Sequence, residues 1–153
     1  MSVTIACRIA GWADLISIVD LLNDDDLGRS RNPVFADAAA AYRDAFEHLV
    51  DQEDNNVVVA EADGRVVGCY QLTFIRGLSH VGGLRAQIES VRISSDLRGA
   101  GLGTELMRDA IDRARARNCT LIQLTTDTRR ADTKRFYERL GFVASHHGMK
   151  QFL

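Results

Sequence analysis

Apolar positions recur along the chain with two periods, which predict strands and helices. Alternation of apolar and polar residues is typical of a strand with one buried face, and the helical period marks one buried side of a helix. Strands are predicted at 3–8, 57–62, 66–75, 85–93 and 120–125. Helices are predicted at 14–22, 36–50, 101–117 and 132–140, and a last hairpin runs from Phe142 toward Leu153.

This mixture of elements predicts an α/β (α+β) fold in a single domain, 1–153. At 153 residues and 46% hydrophobic composition, the chain can bury about two-thirds of its unfolded surface. The dipeptide Asp63-Gly64 is a favoured two-residue turn and predicts a hairpin between the second and third strands. The Gly-containing loop at 76–84 is predicted to be either a mobile lid or a long hairpin turn. His80 within this loop does not distinguish the two alternatives.

Charge gives no general attraction to nucleic acid or to an anionic membrane. The chain has 19 basic and 21 acidic residues, so its net charge is 19 − 21 = −2. No run of about eighteen apolar residues is present, and no secretory signal precedes the first strand, so we expect a cytoplasmic protein. The three cysteines are far apart among apolar residues, which favours buried free thiols over disulfides or a metal site: Cys7, Cys69 and Cys119.

A glycine-rich loop led by Arg98 joins the fourth strand to the longest predicted helix. Gly99, Gly101 and Gly103 have no Cβ, so the backbone can approach a ligand closely. The free N–H groups of a helix's first turn attract anions, and an arginine adds donors suited to phosphate oxygens. The loop therefore predicts a phosphate site, with a simple helix cap as the alternative.

Two common phosphate loops are excluded by the next residues. A Walker loop needs Lys followed by Ser or Thr after its last glycine, whereas Thr104 and Glu105 follow Gly103. The dinucleotide fingerprint needs another glycine at position 104. A nucleotide-dependent ligase or kinase is thereby disfavoured.

The loop at 98–103 resembles the pyrophosphate loop of the GNAT superfamily of acyl-CoA-dependent N-acyltransferases. A second block, Arg135-Phe136-Tyr137-Glu138-Arg139-Leu140-Gly141-Phe142, is similar to that family's C-terminal helix. The resemblance implies a mixed, mostly antiparallel sheet of about six to seven strands flanked by about four helices. It also implies that the sheet is splayed between the strands at 86–93 and 120–126.

The resemblance further implies acetyl-CoA as acyl donor and a direct transfer to an amine without a metal. The cofactor-binding residues would be Val91, Arg92, Ile93, Arg98, Gly99, Ala100, Gly101, Leu102, Gly103, Thr104 and Arg130. The N–H of Val91 would polarise the thioester carbonyl. Arg130 occupies a position where many relatives have Asn, and it would reach a cofactor phosphate instead.

Glu89 is the predicted general base. By strict alternation Glu89, Val91 and Ile93 share one face, which would place the carboxylate among apolar neighbours, as suits a base. The amine needs such a base, because only about one in a few thousand lysine-like amines is neutral at pH 7. The alternative is a solvated Glu89 or one paired with Arg98.

Tyr137 is the predicted general acid, which would protonate the departing thiolate of coenzyme A. The family places a Tyr at this point of the second block. The alternative is an aromatic side chain that packs at helical spacing with Thr133 and Leu140, although Phe136 suits that packing better.

The sequence does not identify the acceptor. A small-molecule amine is the first hypothesis, and a peptide or protein N-terminus is the second. A non-catalytic acyl-CoA-binding module is an alternative to the enzyme. The runs at 125–127, 135–137 and 145–146 are similar to aminoalkylphosphonate N-acetyltransferases. The acidic run at 24–26 is predicted to be a solvated helix end, or an attractor of a cationic substrate. Arg29 and Arg31 are predicted to be surface charges, or to grip an anionic part of the acceptor. Many relatives pair C-terminal strands across a dimer, so a homodimer is possible.

Overall fold

A computed structural model describes residues 3–153, apart from the side chain at position 131. Its sheet contains five strands in the order β1-β2-β3-β4-β5. Every neighbouring pair is antiparallel except β4 and β5, which are parallel because α5 connects them. The strands are β1 Ala6–Ile9, β2 Asn55–Ala62, β3 Arg65–Arg76, β4 Leu84–Ile93 and β5 Leu121–Leu124.

Four helices have eight or more residues, which agrees with the predicted number. They are α1 Leu15–Leu22, α3 Ala39–Val50, α5 Leu102–Ala116 and α6 Ala131–Arg139. Two single-turn helices are α2 Asp26–Arg29 and α4 Ser79–Gly82. Short 3-10 turns lie at Trp12–Asp14, Phe35–Asp37 and Ser95–Leu97.

The sheet has a hydrophobic core on each face. On one face α5 and Tyr137 of α6 cover β2, β3 and β4, with Leu106, Met107 and Ala110 fully buried. On the other face α1 and α3 cover Val59 and Cys69.

The predicted hairpin between β2 and β3 is confirmed. Asp63 and Gly64 have φ values of 49° and 75°, as a two-residue turn of this handedness requires. The loop at 77–83 is also a hairpin connection, between β3 and β4. It precedes Leu84, at the start of β4, whereas the glycine-rich loop follows Ile93, at the end of β4. The exposed His80 is therefore separated from the glycine-rich loop by the length of the strand. The hairpin alternative is therefore the correct one.

The predicted hairpin after Phe142 is wrong, and the described part of the chain has five strands instead of six or seven. Residues 143–153 are exposed and form no strand. The polar run at 145–148 interrupts the apolar alternation, so pairing would bury too little apolar surface to offset the entropy of ordering the segment.

Cys69 is buried, while Cys7 and Cys119 are half-buried, and all three are free thiols. Burial raises the pKa of the Cys69 thiol to about 12, so it stays protonated near neutral pH. In the range 3–153, none of the helices combines the length and the apolar character that crossing a bilayer requires.

We predict that Gly28→Ala destabilises the fold because α2 packs directly against the end of α1. A Cβ at Gly28 would lie 1.9 Å from the carbonyl oxygen of Leu22. The backbone must shift to relieve that overlap, so the free energy of unfolding should fall by about 1–3 kcal/mol in urea denaturation. Gly77→Ala is the matched control, since a Cβ there has no atom within 4 Å. Equal stability of the two variants would contradict the prediction.

Candidate active site

The strands β4 and β5 pair only over one half of β4. Their register joins Arg85 to Leu121 and ends where Ile88 meets Leu124. Beyond Ile88 the two strands separate, which confirms the predicted splay. The resulting opening is called the cleft below, and it is bounded by residues 89–93 of β4 and by the loop that follows β5.

A β-bulge in β4 sets the direction of the side chains along the cleft. Arg92 pairs with Cys69 and Glu89 pairs with Gln71, so three steps along β4 match two along β3. Ser90, within the bulge, has a positive φ of 55°. A bulge of this kind interrupts the alternation of the side chains.

The expected burial of Glu89 beside Val91 and Ile93 is therefore wrong. Val91 and Ile93 pack against the core on the α5 face. Glu89 is exposed, and Arg92 lies opposite Cys69, which belongs to the core on the α1 face. Glu89 faces solvent instead of apolar neighbours, and it is not paired with Arg98 among the hydrogen bonds of the described residues.

Backbone donors of β4 line the cleft. The N–H of Ser94 donates to the carbonyl oxygen of Val67 in β3, at 2.8 Å. Because successive N–H groups of a strand point to opposite edges, those of Val91 and Ile93 point toward the cleft. No acceptor for these two N–H groups lies within the part of the chain that the structure describes.

The first turn of α5 is open at the other end of the cleft. Gly99 and Gly101 have φ values of 83° and 86°, which a residue with a side chain adopts only with strain. No side chain caps Gly101. Within residues 3–153, the N–H groups of Leu102 and Gly103 have no hydrogen-bond acceptor. An anion bound here would satisfy them and would lie at the positive end of the helix dipole.

Arg98 is positioned at this loop by two acceptors. Its Nε donates to the carbonyl oxygen of Ile93 at 3.2 Å, and one Nη donates to the carbonyl oxygen of Asp24 at 2.8 Å. The Asp24 carboxylate also accepts from the N–H and the hydroxyl of Ser95, at 2.6 and 3.0 Å. The guanidinium is thus held beside the open helix turn before any ligand arrives.

The acidic run at 24–26 is solvated only at Asp26, so the prediction of a solvated helix end is wrong for the other two residues. Asp25 accepts from the N–H of Gly28 at 2.5 Å and from Arg130 at 2.6 Å. Since Asp24 and Asp25 already bind protein groups, neither is available to attract a cationic substrate. The spacing of Asp25 and Gly28 is a helix N-cap signal that the sequence does contain.

Ion pairs also explain Arg31, one of two cations without a clear partner in the sequence. Arg31 binds Asp127 and Arg29 binds Asp26. Asp127 also accepts from Arg129, and this side-chain hydrogen bond is the main reason that its pKa lies below the usual range. The segment at 24–31 is therefore joined both to the glycine-rich loop and to the loop before α6.

Tyr137 is buried, with 9% of its surface exposed, and its ring packs against Phe136 and Phe142. Its hydroxyl makes no hydrogen bond with any residue that the structure describes. Burial raises the pKa of Tyr137, and the nearby charges of Arg92 and Arg130 oppose that rise only in part. The hydroxyl therefore stays protonated at neutral pH and is free to donate.

Comparison with known proteins agrees with this geometry. The sequence profile described as the Acetyltransferase (GNAT) family matches residues 16–142. The chain belongs to the GNAT family. It is an N-acetyltransferase, and enzymes of this GNAT family use acetyl-CoA.

Three similar proteins illustrate the range of relatives. The aminoalkylphosphonate N-acetyltransferase of Salmonella typhimurium is 30% identical over 106 residues, which cover 69% of this chain and 68% of that one. The L-methionine sulfoximine/L-methionine sulfone acetyltransferase of Pseudomonas paraeruginosa is 32% identical, covering 90% of this chain and 80% of that one. A crystal structure from Bacillus halodurans, described as a transcriptional regulator, has a TM-score of 0.94 and 43% identity, covering 98% of this chain and 100% of that one.

The two blocks that carried the resemblance meet in this GNAT fold. A Cβ at Gly103 would lie 3.4 Å from the ring of Phe136, so α6 packs directly on the first turn of α5. Tyr137 follows Phe136 and packs in the same core as Val91 and Ile93. The glycine-rich loop and the tyrosine are thus brought to one cleft.

The Asp25–Arg130 pair gives a pH-dependent prediction for this GNAT enzyme. Burial, the largest influence, would raise the pKa of Asp25, but the Gly28 amide and Arg130 together outweigh it and lower the pKa. The folded-state pKa then lies below the unfolded value of about 3.9. The ionised carboxylate accordingly stabilises the fold above that pH, and this contribution is lost as the pH falls through the folded-state pKa.

We expect Asp25→Asn to lower the free energy of unfolding by about 1–2 kcal/mol at pH 7, and by clearly less at pH 3. Urea denaturation at both pH values measures this. Asp26→Asn is the matched control, because the Asp26 side chain is 97% exposed and its loss should change stability by less than about 0.5 kcal/mol. A loss that is the same at both pH values would show that ionisation is not the cause.

Proposed function

We propose that this GNAT enzyme moves the acetyl group of acetyl-CoA to a primary amine of a small molecule by direct attack. One observation carries the proposal. The open edge of β4 leads to unpaired amides in the first turn of α5, and Tyr137 packs in the same core as Val91 and Ile93 of that edge. A diphosphate bound at these amides would extend its thioester along β4 toward the tyrosine.

The proposed cofactor contacts follow the backbone. The N–H groups of Val91 and Ile93 would bind the pantetheine arm, and that of Val91 would polarise the thioester carbonyl. The N–H groups of Leu102 and Gly103, with Arg98, would bind the diphosphate. The remaining proposed contacts lie on the same loop or beside the cleft: Gly99, Ala100, Gly101, Thr104 and Arg130. The backbone of Arg92 points to β3, where Arg92 pairs with Cys69, so its expected contact with the cofactor is not proposed.

Arg130 is a proposed contact with a competing partner. Its Nη2 is already bound to Asp25, at 2.6 Å. The other N–H groups of the guanidinium would have to reach the cofactor, as is also the case for Arg98, which is bound to Ile93 and Asp24.

We propose that Glu89 accepts the amine's proton. Its exposure suits a base that acts through a water molecule and returns the proton to solvent. It lies one residue before the bulge, on the strand whose amides would hold the thioester. A lysine-like amine has a pKa of about 10.4, and its nitrogen must lose a proton as it bonds to the acetyl carbon; a base at this point would accept that proton as the bond forms.

Tyr137 is the proposed acid. The thiol that leaves has a pKa of about 8.5, and protonation of the thiolate makes departure easier. A hydroxyl whose pKa is raised by burial keeps its proton until the thiolate appears. Orientation by the cleft would contribute more than either proton transfer, since it can supply about 7–11 kcal/mol against about 10²–10⁴-fold for one acid or base.

A small-molecule acceptor is supported by the relatives whose names state one. Those names give an aminoalkylphosphonate for one relative, and L-methionine sulfoximine or sulfone for another. The homodimer and the cytoplasmic location expected from the sequence stay predictions. The outer edge of β5 is unpaired among the described residues, and this favours a second copy at that edge.

Tyr137→Phe should lower kcat by about 10²–10⁴-fold while the dissociation constant of coenzyme A changes little. The ring and its packing remain, so the variant removes only the proton donor. Thiol release from acetyl-CoA with a panel of amines measures kcat, and calorimetric titration measures binding. An unchanged kcat would remove Tyr137 from the mechanism.

Glu89→Gln should lower kcat by a similar factor, and the loss should diminish as the pH is raised, because the amine then deprotonates without help. Glu47→Gln on the exposed surface of α3 is the matched control and should keep full activity. If the two variants have the same pH–rate profile, Glu89 is not the base.

Arg98→Ala should weaken coenzyme A binding by about 10–100-fold, as expected for loss of a charge-assisted hydrogen bond. Arg115→Ala is the control, because Arg115 lies on α5, the helix that follows the glycine-rich loop, and among residues 3–153 its ion pair is with Asp112 on the surface. Calorimetric titration of both variants with coenzyme A compares them. Equal affinities would place the diphosphate somewhere other than this loop.

A further inference from the structure

Arg92 has a half-buried guanidinium without an acidic partner. Its Nη1 donates to the carbonyl oxygen of Val91 at 2.9 Å. Its Nε is buried and has no hydrogen-bond partner among residues 3–153, and no ion pair to Arg92 occurs there. Leaving a charged donor unpaired inside a protein is costly. Arg85 has a similar unpaired Nε, but only Arg92 lies where β4 has lost its partner β5 and a ligand has access.

The neighbouring acid does not neutralise this charge. Asp25 is bound by Arg130 at 2.6 Å and by the Gly28 amide at 2.5 Å. Burial is the main cause that lowers the pKa of Arg92; Asp25 raises it and Arg130 lowers it again. The Asp25–Arg130 pair is neutral as a unit, and one positive charge remains on Arg92.

That charge lies beside the proposed chemistry. Arg92 comes directly after Val91, whose N–H points into the cleft. The bulge at Ser90 interrupts the alternation of the side chains, so that Arg92 lies opposite Cys69. The Arg92 side chain faces the α1 side of the sheet and Tyr137 packs in the α5 core, and the charge of Arg92 favours the ionised form of Tyr137 by lowering its pKa. Glu89 lies on the same strand but forms no ion pair with Arg92 in the described chain.

We propose that the Arg92 side chain binds an oxyanion of the acceptor, so that the acceptors of this enzyme are amines that also carry a carboxylate, phosphonate or phosphate group. The inference rests on the proposed acetyl transfer at the cleft and specifies its substrate class. A planar guanidinium with several unused donors can bind two oxygens of such a group at once. Binding there would hold the amine at a fixed distance from the thioester.

A cofactor phosphate is the competing ligand for Arg92. The diphosphate already has a proposed site at residues 98–104, where the open amides of α5 and Arg98 lie together. Arg92 lies on β4 directly after Val91, whose N–H would polarise the thioester carbonyl. An anion at that end belongs to the acceptor.

The test compares Arg92→Gln with Arg85→Gln. Arg85 is a close control: it is on the same strand, its Nε is also buried and unpartnered in the described part of the chain, but it lies where β4 still pairs with β5. The substrates are two matched pairs, β-alanine with β-alaninamide and 2-aminoethylphosphonate with ethanolamine. Steady-state kinetics with acetyl-CoA gives kcat and KM for each, and calorimetric titration gives the affinity for coenzyme A.

The wild type should prefer the acidic member of at least one pair. Arg92→Gln should lower kcat/KM for that member by about 10–100-fold, mainly through KM, and should change the neutral member by less than about twofold. Arg85→Gln should leave both unchanged. Equal losses for acidic and neutral members, or weaker coenzyme A binding by Arg92→Gln, would overturn the inference, the latter in favour of a cofactor phosphate.

A binding experiment separates this inference from the proposed transfer. Each amine is titrated into the enzyme saturated with coenzyme A. Arg92-dependent binding of the acidic amines without turnover would support the inference and refute the transfer. Turnover of neutral amines alone would support the transfer and refute the inference. Acidic amines that bind equally well to Arg92→Gln and Arg85→Gln would also refute the inference.

Discussion

The loss of strand pairing after Ile88 is the constraint on which the rest of this enzyme depends. Over Arg85–Ile88 the parallel partner β5 satisfies the outer edge of β4, and beyond that point it does not. A sheet edge inside a protein normally needs partners for its N–H groups. Here the edge stays open at Val91 and Ile93, and the bulge at Ser90 turns one set of side chains to the α5 core and the other to the α1 side. The N–H groups of this open edge are the ones that we propose bind the acyl thioester.

Charge pairs position the elements around this open edge. Asp24 holds Ser95 and Arg98 on one side, and Asp25 holds Arg130 on the other. The segment after α1 therefore ties the cofactor loop to the loop before α6. These pairs are partly buried, so their importance lies in geometry more than in stability. Gly28 contributes to the same arrangement, because only a residue without a side chain lets α2 approach the end of α1.

The same environment prepares the reacting groups. Burial keeps the Tyr137 hydroxyl protonated, although two arginines nearby favour its ionised form. One of these, Arg130, is compensated by Asp25, whereas Arg92 is not. The cleft consequently combines a proton donor, open amides and one unneutralised cation. This combination suits transfer of an acetyl group to an amine that carries its own negative charge.

Local sequence was sufficient for the features that depend on neighbours along the chain. The glycines before α5, the Asp63-Gly64 turn and the helix that carries Tyr137 follow from backbone freedom and apolar period. The glycine-rich loop and the block that contains Tyr137 led to the family. The face of Glu89, the partners of Asp24 and Asp25, and the absent C-terminal hairpin did not follow. Asp24 is 74 residues from Arg98 and Asp25 is 105 residues from Arg130, so no local pattern contains these pairs. A bulge likewise arises from the register between two strands, and only the assembled sheet decides it.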